Sequence, residues 1–394
     1  MGIHNSEGVW QEDQGRIEGI ILDYFNAIFK SDHSTNFEAS LSAFNYRVTT
    51  KMNKELLIDF KVDKVWRALK QMHPTKALGP DDMSIIFYEN YWDIVGSNLI
   101  KCVLNALNSG VMPSDLNETF IYIIPKVKSP QKIIEFKPIS LCNVIYKIIS
   151  KVLANRLKRI LVVVIDELQS AFVPGRLITN NVLVVLETMY CIDQRKKGKE
   201  ALMAIKINMS KAYDRVEWVY LEAMIRSMGF HDKWISFIMM CVTTVSYSVL
   251  INDDPKGKIT PSRGLRQRDP ISPYLFLICA EGLSAMLKKE EAIGHIKGIS
   301  ICRGVPRISH LLFTDDSIVF CRATVEESNR VMKVLEDYER DSGQKLNKEK
   351  TSLFFSKNTN RDVQNHVKQQ FGAQIIRHHE KSREKKKAFN GIKD

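Results

Sequence analysis

The spacing of apolar residues predicts a mainly helical first half of the chain. In residues 140–165, "SLCNVIYKIISKVLANRLKRILVVVI", apolar side chains recur every three or four positions, the period of one face of an α-helix. The apolar stripe consists of Ile145, Ile148, Ile149, Val152, Leu153, Leu157 and Ile160. The basic residues that fall largely outside it are Lys147, Lys151, Lys158 and Arg159. We predict an amphipathic helix whose basic side is either a solvated face or a contact for a phosphate backbone.

From about residue 200, short strand-like runs alternate with helical patterns. The runs at 201–208, 247–251 and 351–356 are short and apolar, as buried strands are. Helical patterns cover 215–230 and a segment from Ser272 to about residue 288. This alternation predicts an α+β layout around a small sheet.

Capping signals mark the ends of two predicted helices. Ser272 followed by Pro273 predicts a helix start, with serine as the N-cap and proline in the first turn. Thr324 and Glu327 have the spacing of a capping box. Gly343 is suited to the left-handed position that follows a last helical turn. A further helix is therefore predicted from residue 324 to residue 342.

The stretch "LLFTDDSIVF" (311–320) places Asp315 and Asp316 between two strand-like runs. One interpretation is a hairpin turn, because aspartate is common in turns. The other is a site for a hard divalent cation, which carboxylates and substrate phosphates hold together during phosphoryl transfer. The second interpretation requires another oxygen ligand from elsewhere in the chain. The segment "KINMSKAYDRVEW" (206–218) offers Asn208 at the end of a predicted strand, and Asp214 beyond it.

Composition favours a globular protein with a polyanionic partner. The 394 residues are 44% hydrophobic and carry a net charge of +12, which favours nucleic acid over an uncharged ligand. The seven cysteines include no CxxC pair, so we expect reduced, buried thiols with no disulfide partner. No apolar stretch reaches the roughly 18 residues of a membrane span. The N-terminus lacks the apolar core of a signal peptide, so we expect neither a membrane protein nor a secreted one.

Seven ordered blocks resemble the reverse transcriptases of non-LTR (LINE-type) retrotransposons, and among them the plant type. The resemblance runs from about residue 8 to about residue 392. The blocks are "KALGPDDMSIIFYENYWDIVG" (76–96), "IYIIPKVKSPQKIIEFKPISLCNVIYKIISKVLANRLK" (121–158, two blocks of the family), "QSAFVPGRLITNNVLVVLE" (169–187), "KINMSKAYDRVEW" (206–218), "SRGLRQRDPISPYLFLICAEGLS" (262–284), "LLFTDDSIVF" (311–320) and "SGQKLNKEKTSLFFS" (342–356). Their order makes a chance match negligible, whereas "TDD" alone would be weak.

The resemblance implies an α+β right-hand polymerase core with fingers, a palm and a truncated thumb. We expect a helical N-terminal extension at 1–100, fingers at 101–200 and the catalytic palm at 201–356. The start of a truncated thumb and a basic tail are expected at 357–394. A basic run at 377–387 is expected to be exposed.

The implied activity is that of an RNA-directed DNA polymerase, a nucleotidyltransferase that extends a DNA primer on an RNA template with deoxynucleoside triphosphates. Mg²⁺, or Mn²⁺, is the implied cofactor, held by Asp315 and Asp316. The third carboxylate of the family corresponds to Asn208, which brings no charge, so metal affinity should fall. We therefore expect an impaired enzyme. The family implies an intracellular location, nuclear or cytoplasmic.

The resemblance also implies roles for residues outside the turn. The residues expected to bind the nucleotide are Lys126, Lys137, Tyr213, Gln267 and Lys350. Those expected to bind template or primer are Arg176, Arg263 and Arg266. Tyr213 would exclude the 2′-hydroxyl of a ribonucleotide, although a half-buried aromatic at a helix start is an equal interpretation without the family. Arg268 and Asp82 stand where the family has glycine. At Arg268, either the side chain clashes with the template strand or the backbone needs a dihedral that only glycine adopts easily.

Two other functions remain as alternatives. A non-catalytic protein that binds RNA or DNA would retain the basic surface beside a damaged metal site. A metal-dependent phosphatase or nuclease built on Asp315 and Asp316 would explain none of the other blocks. Metal-dependent primer extension separates the first alternative from a polymerase, and cleavage of labelled nucleic acid would indicate the second.

Overall fold

The computed structural model describes residues 2–32, 37–44, 46–74, 77–302 and 304–376. The basic run predicted at 377–387 lies outside the described residues, as does the end of the predicted thumb segment. The described helices are α1 (Gln14–Phe29), α2 (Glu38–Leu41), α3 (Thr50–Leu57), α4 (Val62–Lys70), α5 (Ile85–Asn90), α6 (Trp92–Ser109), α7 (Val144–Leu157), α8 (Leu161–Val164), α9 (Ile178–Gln194), α10 (Trp218–Ser227), α11 (Asp232–Thr243), α12 (Ser272–Ile293), α13 (Val325–Ser342) and α14 (Arg361–Phe371).

The strands form two larger sheets and one small hairpin. They are β1 (Ile3–His4), β2 (Trp10–Gln11), β3 (Glu118–Pro125), β4 (Phe136–Cys142), β5 (Leu202–Asn208), β6 (Ser246–Ile251), β7 (Asp254–Ile259), β8 (His310–Phe313), β9 (Asp316–Arg322), β10 (Ser352–Phe355) and β11 (Gln374–Ile375). One sheet has the order β11-β10-β5-β9-β8 and the other β4-β3-β6-β7. Short 3₁₀ turns lie at Ile133–Glu135 and Tyr213–Arg215. The predicted α+β fold is confirmed.

The five-stranded sheet is buried on both faces, which explains why β5 is a continuous apolar run. Ile205 and Ile207 point into the main core. Leu202 and Ala204 point into a second cluster with Ile192 of α9. A strand covered on both sides loses the alternation of apolar and polar residues that marks a half-exposed strand. The central strand of this sheet is therefore held from both faces.

The long helix α12 lies in the core beside α10 and α13. Its central glycine, Gly282, faces Tyr220 of α10 so closely that a methyl group there would lie 1.9 Å from Tyr220 Oη. Gly282 is buried, and Tyr220 is fully buried. A residue larger than glycine at this position would push the two helices apart.

Most elements predicted from residue 200 onward are confirmed. The strands at 201–208, 247–251 and 351–356 correspond to β5, β6 and β10. Thr324 accepts a hydrogen bond from Glu327 N at the start of α13, which ends at Gly343 with a φ of 77°. The carboxylate of Glu327 turns instead to Arg322 N, at 2.9 Å, so only one arm of the capping box forms.

The helix predicted over 140–165 is wrong at both ends. Residues 140–142 belong to β4, because they pair with β3, and α7 covers only Val144–Leu157. Lys147, predicted on the basic side, is buried, and its Nζ donates to Ala77 O at 3.1 Å. Local periodicity cannot reveal that strand pairing claims the first residues.

The start predicted for α12 is also corrected. Ser272 is the first helical residue rather than the N-cap, which is Ile271, and the helix extends to Ile293 instead of ending near residue 288. Gly294 ends it in the left-handed conformation, with a φ of 88°. Gly294, which follows the charged residues near the end of α12, is the sequence signal for the end of this helix.

Two predicted segment boundaries do not match the sheets. Strands β6 and β7 fall inside the range predicted for the palm, yet β6 pairs in parallel with β3 of the range predicted for the fingers. The N-terminal range, predicted to be helical, also contains the β1–β2 hairpin. Chain order alone cannot place a strand that crosses to another sheet.

The cysteines and the helices bear on two further expectations. Cys142, Cys241, Cys279 and Cys321 are buried, and burial raises the pKa of the Cys241 thiol to about 12. Cys302 is exposed, contrary to the expectation that the thiols are buried. Across the described ranges, every helix is too short or too polar to cross a lipid bilayer.

Two glycine substitutions test this packing. We expect Gly282→Ala to lower the free energy of unfolding by about 1–3 kcal/mol, because the added methyl group overpacks the contact with Tyr220. The matched control is Gly19→Ala in α1, where no atom lies within 4 Å of the new Cβ. That change should raise stability by about 0.5–1 kcal/mol. Urea unfolding followed by circular dichroism measures both, and equal shifts of the same sign would contradict the packing.

Candidate active site

The two aspartates lie at a tight hairpin between β8 and β9. Phe313 pairs with Asp316, which leaves Thr314 and Asp315 as the loop. Thr314 adopts a φ of 55°, the left-handed conformation that a two-residue hairpin requires. The hairpin interpretation is therefore correct as geometry, and it leaves both carboxylates at the end of the central strands.

Asn208 lies directly beside the hairpin. The last residue of β5, it pairs with Asp316, the first residue of β9. Asn208 Nδ2 donates to Asp316 Oδ1 at 2.9 Å. The amide therefore supplies a proton donor to the carboxylate. An aspartate at this position would instead bring a second negative charge against Asp316.

A cleft of about 1620 Å³ opens over this hairpin. It gathers both aspartates and most of the residues that the sequence predicted for the nucleotide. The predicted residues along its walls are Lys126, Lys137, Asn208, Tyr213, Arg263, Gln267, Asp315, Asp316 and Lys350. Residues separated by more than 200 positions in the chain thus meet at one site.

Lysines crowd one wall of the cleft. Lys126 follows β3, Lys137 lies on β4 and Lys350 precedes β10. Burial and the neighbouring Lys350 lower the pKa of Lys126. Lys211 joins this wall and was not predicted, and burial lowers its pKa as well. Like charges held this close are relieved by a bound polyanion, and a triphosphate is one.

Tyr213 and Gln267 are held by buried partners. The Tyr213 ring stacks on Phe276, with centroids 4.9 Å apart and an angle of 12° between the planes. Burial, and then the charge of Asp315, keep the pKa of Tyr213 above its ordinary value, so its hydroxyl stays neutral. Gln267 Nε2 donates to Asp214 Oδ1 at 3.1 Å. Asp214 is buried, which raises its pKa, and the contact orients Gln267 beside the cleft.

The structure does not support template contacts for Arg263 and Arg266, because both side chains are buried. Each is 4% exposed. Arg263 Nη1 lies 2.8 Å from Asp32 Oδ2 and 3.2 Å from Glu217 Oε1. Arg263 thus joins the exposed Asp32, in the segment after α1, to the buried Glu217. Sequence alone could not distinguish a buried arginine from one that faces a phosphate.

Arg266 and Arg176 serve the protein itself. The Arg266 guanidinium lies 3.8 Å from the centroid of the Tyr146 ring and donates to Cys241 O at 2.9 Å. Arg176 donates to the carbonyl oxygens of Gln169, at 2.7 Å, and Ile165, at 2.7 Å. The guanidinium of Arg176 thus fixes a loop, and template binding by this residue stays a prediction.

The two residues predicted to stand at glycine positions do adopt the left-handed backbone. Arg268, on the cleft wall, has a φ of 68°, and Asp82 has a φ of 51°. For a residue with a Cβ this conformation costs about 1–2 kcal/mol. The side chain of Arg268 also adds bulk and charge to the wall of the cleft.

The oxygen donors at the hairpin fit one hard divalent cation. Mg²⁺ usually takes one or two carboxylates plus substrate phosphates, and Asp315 and Asp316 supply two. Burial and the charge of Asp316 raise the pKa of Asp315. A bound cation would stabilise the charged form of this carboxylate. Among the described residues, no group of three histidine, cysteine or acidic side chains could hold a metal ion. The site is therefore one carboxylate short of a three-ligand site.

Paired carboxylates below a wall of lysines suit a substrate with several phosphates. With the α+β core, these features define a polynucleotide polymerase. The chain belongs to the reverse transcriptase (RNA-dependent DNA polymerase) family, whose model matches residues 124–386. By family it is an RNA-directed DNA polymerase. Such enzymes act on a nucleic-acid template with nucleotides and generally use divalent metal ions.

Relatives confirm the resemblance to non-LTR retrotransposon proteins. The chain is 26% identical over 305 residues to the transposon TX1 149 kDa protein of Xenopus laevis, covering 77% of this chain and 23% of that protein. It is 22% identical over 300 residues to the Pol polyprotein of a type-2 retrotransposable element of Drosophila melanogaster, covering 74% and 27%. An uncharacterized mitochondrial protein of Arabidopsis thaliana is 52% identical over 68 residues, covering 17% and 56%. The chain thus spans about a quarter of the two transposon relatives.

A buried histidine supports the hairpin from β8. His310 is fully buried, with Nε2 2.8 Å from Ser284 Oγ and Nδ1 3.1 Å from Ser309 Oγ. Burial lowers its pKa from 6.5 to about 4. The neutral ring is therefore part of the folded state, and it ties β8 to α12 behind the aspartates.

We expect Asn208→Asp to make stability depend on metal. Without divalent cations, the lost hydrogen bond and the repulsion from Asp316 should lower the free energy of unfolding by about 1–3 kcal/mol. Mg²⁺ or Mn²⁺ should restore it by binding the folded state. Urea unfolding with EDTA and with Mg²⁺ measures the difference. The control, Asn180→Asp, adds the same charge at an exposed position on α9. Equal stability of Asn208→Asp under both conditions would argue against the arrangement.

Acidification should destabilise the protein through His310. Its folded pKa lies below the ordinary value, so the unfolded state binds the proton first. Stability from this group is complete above about pH 6.5 and is lost as the pH falls to about 4, by on the order of 3 kcal/mol. His310→Gln should flatten that part of the profile of unfolding free energy against pH. The exposed His366→Gln should leave it unchanged, and a parallel loss in both variants would contradict the assignment.

Proposed function

We propose that this chain is the polymerase core of a retrotransposon reverse transcriptase, and that this copy has strongly reduced activity. The observation that carries the proposal is the pairing of Asn208 with Asp316 at the catalytic hairpin. In the reaction, the 3′-hydroxyl of a DNA primer attacks the α-phosphate of a deoxynucleoside triphosphate opposite an RNA template, and pyrophosphate leaves. We assign β5, β8, β9 and β10 to the palm and the four-stranded sheet to the fingers. Residues from 357 onward are assigned to the start of the thumb.

The lysines of the cleft are assigned to the triphosphate. Lys126, Lys137 and Lys350 approach the cleft from three different segments, and Lys211 adds a fourth charge. Their mutual repulsion in the free protein favours binding of a group with several negative charges. Gln267, oriented by Asp214, is assigned to the nucleotide that faces the template.

Tyr213 is assigned to the choice of sugar. Its ring cannot move towards Phe276, because the two are already stacked at 4.9 Å. A rigid ring in the cleft wall excludes a ribose 2′-hydroxyl by lack of space. The hydroxyl of Tyr213 stays neutral, so the ring excludes ribose without repelling the phosphates of the nucleotide.

Asp315 and Asp316 are assigned to a Mg²⁺ or Mn²⁺ ion. When bound, such an ion neutralises charge on the phosphates and activates the attacking hydroxyl. Asn208 supplies no charge and occupies Oδ1 of Asp316 with a proton donor. Removing groups that merely support a metal ligand costs 10–100-fold, so the loss of a charged ligand should cost at least about 100-fold. The strained Arg268 on the cleft wall adds to the impairment.

A non-catalytic role in binding RNA or DNA is the second candidate. The bond from Asn208 satisfies Asp316 without a cation, while the lysine wall remains. The cleft would then hold nucleic acid without joining nucleotides. Either role requires a nucleic acid, which the chain would meet inside the cell, in the nucleus or the cytoplasm.

Primer extension on an RNA template tests the proposal. The purified chain should incorporate at least about 100-fold less deoxynucleotide than its Asn208→Asp variant, with Mg²⁺ or Mn²⁺ present. The matched control Asn180→Asp changes the same charge away from the cleft and should gain nothing. Robust synthesis by the unaltered chain would refute the impairment. Salt-dependent RNA binding without synthesis by either protein would favour the non-catalytic role.

A further inference from the structure

A second groove, of about 810 Å³, lies between α7 and the segment that carries α3 and α4. We call it the basic groove. Seven lysine and arginine side chains line it against two acidic ones, Glu55 and Asp59. None of its lining residues borders the polymerase cleft, so the proposed reaction does not account for this concentration of charge.

The floor of the basic groove is fixed by contacts between α7 and the segment of α3 and α4. The guanidinium of Arg156 lies 3.5 Å from the centroid of the Phe60 ring and donates to Leu56 O at 2.8 Å. Asn155 Nδ2 donates to Gln71 Oε1 at 2.8 Å, which joins α7 to the end of α4. The groove is thus built between helices that hold each other in place.

Several cations of the groove lack an acidic partner. Within the part of the chain that the structure describes, Lys61, Arg67, Lys158 and Arg159 make no ion pair, whereas Lys64 pairs with Asp63. Lys158 and Arg159 are exposed at the end of α7. Burial, and then the charge of Arg159, lower the pKa of Arg156 to about 10. A chain of phosphates along the groove would relieve this repulsion.

One loop separates the groove from the cleft. Pro174 borders the basic groove, while Ala171 and Phe172 border the cleft. Arg176 fixes the loop by donating to Val162 O at 3.2 Å and Gln169 O at 2.7 Å. Val162 also lines the basic groove. Arg176 therefore fixes the wall that the basic groove shares with the cleft. A polynucleotide that crosses this loop out of the cleft enters the basic groove.

We propose that the basic groove binds the phosphates of the single-stranded template that has not yet been copied. The inference rests on the proposed polymerase function, because that function supplies a strand in the cleft. Phosphates are the contacts that lysine and arginine make without regard to base sequence, so the groove holds any template sequence. The duplex product remains on the other side of the active site.

Binding of labelled primer–template duplexes tests the groove without catalysis. One duplex carries a single-stranded RNA template overhang, and the other is blunt. Fluorescence anisotropy should show roughly tenfold tighter binding of the overhang duplex to the unaltered chain. Lys158→Glu combined with Arg159→Glu should abolish that gain and leave the affinity for the blunt duplex unchanged. The slope of log affinity against log salt for the overhang duplex should fall by about 1.4.

The matched control reverses two exposed charges away from both cavities, Lys101→Glu and Arg361→Glu, and should keep the gain. Circular dichroism confirms that both variants fold. Equal weakening of both duplexes by the groove variant, or no preference for the overhang in the unaltered chain, would overturn the proposal. If the groove variant lost only its binding to phosphatidylserine vesicles, the groove would be assigned to a membrane surface. That result would also overturn the proposal. Failure of the unaltered chain to bind either duplex would instead refute the proposed polymerase function.

Discussion

The register between β5 and β9 is the constraint on which the site depends. It places Asn208 opposite Asp316 and so fixes which side chain lies beside the hairpin aspartates. A shift of one residue would turn every side chain of β5 to the other face. Burial of that strand in two apolar clusters prevents the shift, since Ile205 and Leu202 would exchange surroundings. The core therefore sets the geometry of the chemistry.

Charge balance at the hairpin explains how the fold tolerates asparagine, instead of aspartate, at residue 208. Two neighbouring carboxylates in a partly buried site repel each other unless a cation or a hydrogen-bond donor intervenes. Asn208 provides such a donor to Asp316, and the lysines of the cleft provide positive charge nearby. Under the proposed function, the same amide leaves the metal site without one negative charge. The proposal therefore sets stability without metal against activity at residue 208.

Arginine has two different uses in this protein. Arg263 and Arg266 are buried and join distant segments, as does Arg176 through backbone carbonyls. Arg159 and Lys158 are exposed beside the basic groove and make no ion pair with the residues that the structure describes. Arginine forms several directional hydrogen bonds at once, so it suits a structural junction as well as a phosphate. The buried arginines hold the walls between which the exposed cations can bind a strand.

The α+β class, the strands β5, β6 and β10 and the ends of α13 could be predicted from the sequence, because those features depend on local pattern and residue type. The left-handed backbone at Arg268 agrees with the glycine that the family has at this position. Only the tertiary structure decided that residues 140–142 join a sheet, that β6 crosses to β3 and that Arg263 is buried. Pairing between distant strands and burial between distant segments are non-local, so no window of sequence contains them.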